Sequence, residues 1–168
     1  MNKTLKTFVA VLAIVLMLTF GLSTAYGQNT EGNNSSLQFQ EDNGNRIVGT
    51  WISDVTIRNC QTNAPLITVK ALNTFNQGGT MTETGNSFTR GPGHGTWERT
   101  KGNDYDSVFM FFRFNADGTY GGYQKVRRHH TLDLDSAILT TDAAIEVYNA
   151  AGVLIAIGCA SETARRLE

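Results

Sequence analysis

The sequence predicts an all-β domain, an eight-stranded antiparallel up-and-down barrel, with a β-sandwich as the second solution. Three observations carry that expectation. From Ile47 onward, short β-rich runs alternate with Gly, Asn or Asp turns. No run carries a sustained i, i+3, i+4 apolar stripe, so helical periodicity is absent. Two turns are nearly identical, Asn115-Ala116-Asp117-Gly118 and Asn149-Ala150-Ala151-Gly152, each opening on Asn and closing on Gly as a type I turn with a Gly bulge does.

In chain order the expected strands are 48–59, 65–75, 79–84, 94–100, 104–114, 119–131, 137–148 and 153–163. Most connections between them are short, which suits a meander, and closure into a barrel removes the exposed edges. The 17 Gly fall largely in hairpin turns and in a long Gly-rich rim loop at 85–95, and the 2 Pro leave the strands unbroken.

The paired turns set an expected register. If Asn115 pairs with Thr119, then Val108, Met110, Phe112 and Phe114 share the interior face with Tyr120, Gly122, Gln124, Val126, Arg128 and His130. Phe109, Phe111 and Tyr123 then lie on the outer wall, a patch suited to a homo-oligomer interface or covered by the stems of Lys125 and Arg127. If Asn149 pairs with Val153, then Ala143, Ile145 and Val147 share the interior with Val153, Ile155, Ile157 and Cys159. In the first strand Trp51, Val55 and Ile57 point inward, which puts Cys60 on the opposite phase.

Composition excludes several classes. Charged residues make up 17% and aromatics 10%, the wrong balance for a disordered chain. A formal net charge of −1 is wrong for a dedicated nucleic-acid binder. Lys3 and Lys6, the apolar run from Phe8 to Leu22, and small residues at Ser23, Thr24, Ala25 and Gly27 read as a signal peptide over 1–27. Its removal takes the formal charge to −3 and leaves no other stretch able to span a membrane. Residues 28–45 are polar and aperiodic, a flexible leader to a domain at 46–168. The expected location is secreted or periplasmic. In such a compartment Cys60 and Cys159, about 100 residues apart, form one disulfide, with two buried thiols as the alternative. The disulfide requires a bulge or a chain bend, because the two cysteines differ in phase.

Gly49-Thr50-Trp51 at the start of the first strand resembles the Gly-x-Trp opening of lipocalins and their fatty-acid-binding relatives, the calycins. The resemblance implies a barrel closed at one end by the Trp, with an Arg from the last strand packed on it; Arg165 and Arg166 match by position. The family's second motif, Thr-Asp-Tyr, is missing, since Thr141-Asp142 lacks the aromatic, and a second Gly-Thr-Trp stands at 95–97. The expected architecture is also similar to that of allene oxide cyclases and dirigent proteins, without a shared motif.

For chemistry, His129 and His130 point to opposite faces of a strand and cannot chelate one ion together; no metal site and no cofactor are expected. No Gly-x-Ser-x-Gly elbow offers a nucleophile, and Glu83, Glu98 and Glu146 are scattered over different strands. Arg128 and His130 beside Gln124 and Tyr120 can orient a carboxylate or enolate inside an apolar cavity. The expected ligand site is therefore Trp51, Met110, Phe112, Tyr120, Gln124, Arg128 and His130, with Phe88, Arg90 and His94 on the rim loop. The expected function is binding of a small apolar or amphipathic molecule. A cyclase or isomerase on the same barrel and a filled structural barrel are the alternatives.

Overall fold

A computed structural model describes residues 46–133, 135 and 137–167. The expected signal peptide and leader lie outside these residues. The strands are β1 (Gly49–Arg58), β2 (Pro65–Phe75), β3 (Thr80–Gly85), β4 (Arg90–Lys101), β5 (Asp104–Phe114), β6 (Tyr120–Leu132), β7 (Ile138–Tyr148) and β8 (Leu154–Arg166). Each pairs antiparallel with the next, and β8 pairs with β1, so the sheet is a closed barrel and the sandwich is excluded. The largest boundary difference is in β4, which begins at Arg90. The expected rim loop at 85–95 shrinks to residues 86–89, because Gly93 and Gly95 pair with Glu83 and Met81.

Both predicted turns form. Asn115 N–H donates to Thr119 O at 2.8 Å and Asn149 N–H to Val153 O at 2.9 Å, with Gly118 and Gly152 at φ 82° and 77°. The register expected beyond them does not survive. Phe114 pairs with Tyr120 but Arg113 pairs with Gly122, so Gly121 is passed over in a bulge. In the same way Tyr148 pairs with Leu154 but Val147 with Ala156, passing over Ile155. A one-residue slip exchanges the faces of the partner strand. Phe109 and Phe111 are therefore buried inside, not on an outer interface, while Met110, Phe112 and Tyr120 stand on the outer wall. On β8, Ala156, Gly158 and Ala160 take the interior positions, and Ile155 and Ile157 are exposed.

Gly122 is what permits the first bulge. Its φ is 117°, and a Cβ there would stand 2.1 Å from Tyr148 O. Outside the barrel, Tyr123 stacks on Tyr148 at 4.5 Å and Phe112 meets Tyr120 edge-on at 5.9 Å.

Cys60 and Cys159 are bonded. The phase conflict disappears because β1 ends at Arg58, which is the residue opposite Cys159. Cys60 lies beyond the strand in a turn that Asn59 organises, its Oδ1 accepting from the N–H groups of Gln61 and Thr62 at 2.9 Å. A residue outside the ladder is free of the strand's alternation.

One end of the barrel is filled. Ile47, Trp51, Phe75, Tyr105, Leu132 and Leu139 are all buried there. Trp51 Nε1 donates to Ile47 O at 2.8 Å, and the Arg166 guanidinium lies 4.4 Å over the indole while donating to Val48 O at 2.6 Å. The charge over the ring and the capped carbonyls tie the end of β8 to the entry of β1.

Candidate functional site

Moving one inward-facing position along each strand from this plug reaches a polar layer. Trp51 gives way to Ser53, Phe75 to Asn73, Met81 to Glu83, Tyr105 to Ser107, His130 to Arg128 and Ala164 to Glu162, all buried. Arg128 Nη1 donates to Glu162 Oε2 and Asn73 Oδ1, both at 3.0 Å, and its Nε donates to Ser107 Oγ at 3.3 Å. Asn73 Nδ2 donates in turn to Glu162 Oε1 at 2.7 Å and Ser53 Oγ at 2.8 Å. Such a pair is tolerated in the interior because its remaining donors and acceptors are satisfied. Below it, His130 bridges Ser107 at 2.8 Å and Thr141 at 2.7 Å. Burial, then the Arg128 charge, pushes its imidazole well below the ordinary range, so it is neutral.

One further inward position reaches the walls of a cavity of about 380 Å³. Val55, Ile57, Val69, Phe109, Val126, Ile145 and Val147 supply its apolar surface, with Arg128 and Glu162 beneath. Small residues at Ala143, Gly158 and Ala160 leave the space unfilled. A second ion pair, Glu83–Arg90, lies against the wall, and the Arg90 guanidinium stacks 3.5 Å over Phe111. Burial raises the Glu83 carboxyl, opposed by the Arg90 and Arg128 charges, and burial lowers Arg90. The space lies in the size range of small-molecule sites, with the apolar walls and few polar groups typical of them.

The expected site residues divide three ways. Gln124, Arg128 and Arg90 line the cavity. Trp51 and His130 lie in the plug, and neither lines the cavity. Met110, Phe112 and Tyr120 face outward through the β5–β6 bulge; Phe88 is exposed and His94 projects from the outer face of β4, so neither forms a lid. Phe109, Phe111, Asn73 and Glu162 are the contributors that sequence reasoning missed. Consecutive glycines inside a strand, Gly121-Gly122, were the signal for a bulge, and counting β8 back from an Arg opposite Trp51 places Glu162 inside.

A broader groove of about 930 Å³ crosses the outer wall past Arg58, Glu98, Asp106, Arg127, His129 and Asp142. It is larger but open, and several of its charges are already matched: His129 Nδ1 meets Asp106 at 2.7 Å and Arg127 meets Glu146 at 3.9 Å. The interior cavity is the better candidate, since enclosure excludes water from an apolar ligand. Among the described residues, no three His, Cys, Asp or Glu side chains gather to hold a metal ion, and no helix is long and apolar enough to cross a membrane. No protein-family model and no curated protein matches the chain.

Proposed function

We propose that the protein is an exported, calycin-like barrel that carries a small amphipathic molecule in the cavity above the Arg128–Glu162 layer. The single observation that carries this reading is the cavity itself, about 380 Å³ of unfilled space walled by aliphatic and phenyl side chains and floored by a neutralised ion pair. Unfilled apolar volume costs stability in a barrel with no ligand, on the order of 24 cal/mol per Å³ for dry cavities, and a ligand of matching shape recovers it. The Trp51–Arg166 packing supports the calycin likeness, and the Cys60–Cys159 bond supports export to an oxidising compartment. Native mass spectrometry of the protein purified from its producing cells tests the reading. A stoichiometric small-molecule adduct lost on denaturation is the expected result; a bare mass at every preparation contradicts it.

An isomerase on the same cavity is the second reading. The observation that favours it is Glu83, a cavity-lining carboxyl whose protonated form burial favours, as a general acid requires. Conversion of the adduct molecule by the wild type and not by Glu83→Gln would select it; recovery of the molecule unchanged selects the carrier.

A further inference from the structure

The cavity's charges do not balance. Glu83 and Glu162 face three guanidiniums, Arg90, Arg128 and Arg113. Arg128 is taken up by Glu162 and Arg90 by Glu83. Arg113 sits directly opposite Arg90 across β4 and β5, so two like charges adjoin with one carboxylate between them, an arrangement that disfavours itself unless an anion joins it. The Arg113 side chain is half-buried and makes no ion pair or hydrogen bond with any described residue. Gln124, paired with Phe111 on the adjoining strand, is in the same state. Both lie at the inward positions nearest the β5–β6 turn, which is the mouth of the cavity.

We propose that Arg113 and Gln124 form an anion subsite at the mouth, so that the ligand class is an amphiphile with an acidic headgroup. This rests on the carrier reading and adds the headgroup chemistry to it. The guanidinium offers two parallel N–H donors to a carboxylate, and the Gln124 amide offers a third. The apolar body then runs inward past Phe111 and Val126 toward the paired floor, which has no unmatched charge to repel it.

Calorimetric titration with decanoate and with decan-1-ol at pH 8 tests this in the full chain, because the two probes share a tail and differ in headgroup. The wild type is expected to prefer decanoate by about tenfold or more, the scale of one charge-assisted hydrogen bond. Arg113→Gln is expected to abolish that preference while leaving decan-1-ol binding within about twofold, and Arg113→Lys to retain part of it as a charge without the fork. Equal affinities for the two probes in the wild type, or a preference that persists in Arg113→Gln, overturns the subsite. The carrier reading is scored separately by Ala143→Phe, which fills the cavity: decan-1-ol binding that this variant blocks upholds the carrier even when the subsite fails. Absence of binding by either probe defeats both.

Discussion

The Arg128 guanidinium and the Glu162 carboxylate meet at 3.0 Å in the middle of the barrel, each side chain 3% exposed. This contact divides the molecule into a packed plug and an unfilled chamber. It also removes Arg128 from direct ligand recognition, the role its inward position suggested, because its charge is already neutralised. Arg128→Met is expected to destabilise the fold by about 3–5 kcal/mol, since Glu162 is left buried without its partner. The double variant Arg128→Met/Glu162→Met should recover part of that loss, because no charge is stranded. Urea unfolding of the two proteins and the wild type checks both statements.

A pH dependence follows from His130. Its imidazole titrates well below its ordinary value in the folded barrel because it is buried near Arg128, whereas in the unfolded chain it titrates at about 6.5. Below that pH the unfolded state binds the extra proton, so stability falls as pH falls, by up to about 1.4 kcal/mol per unit. Glu83 acts in the opposite sense: its raised value favours the folded state at low pH and that contribution is lost as pH rises through the folded value. Comparing wild type with His130→Gln between pH 5 and 7.5 isolates the histidine. The wild type should lose stability more steeply toward pH 5 than the variant.

The Gly122 bulge predicts a contrast between two glycines of one hairpin. Gly122→Ala places a Cβ against Tyr148 O at a φ of 117°, and should cost more than about 2 kcal/mol. Gly118→Ala meets nothing within 4 Å and should cost about 1 kcal/mol for its positive φ alone. Equilibrium unfolding of the two variants separates them.

Much of this architecture was legible in the sequence and some was not, for an identifiable reason. Strand count, order and the two Asn-to-Gly turns follow from local chemistry, which short segments carry by themselves. Which side of β5 faces inward depends on one passed-over residue, Gly121, and a single slip moves Phe109 and Phe111 from wall to core. Alternation could not decide the matter, because Val108 to Phe112 is apolar on both faces. On β8 the larger side chains Ile155 and Ile157 suggested the interior, yet Ala156 and Gly158 occupy it; an interior that keeps a cavity reverses the usual preference for bulk inside. The Asn73–Arg128–Glu162 layer joins residues as much as 89 positions apart, and only the closed register brings them together.

The Cys60–Cys159 bond spans 99 positions and clasps the β1–β2 turn to the outer face of β8. Reduction or the Cys60→Ser/Cys159→Ser variant should lower stability by about 2–5 kcal/mol. Thermal unfolding with and without reductant measures it, and the double variant should be insensitive to reductant.

The central claim is that ligand enters the barrel and does not coat its outer apolar wall. Methyl-resolved NMR during titration with decan-1-ol tests this most directly, because the two locations carry different reporters. The account predicts saturable shifts in the methyl groups of Val126, Ile145 and Val147, which line the cavity, with Ile155 and Ile157 on the outer wall unmoved. Shifts confined to Ile155 and Ile157, or no saturable shift in the cavity methyls, would contradict it.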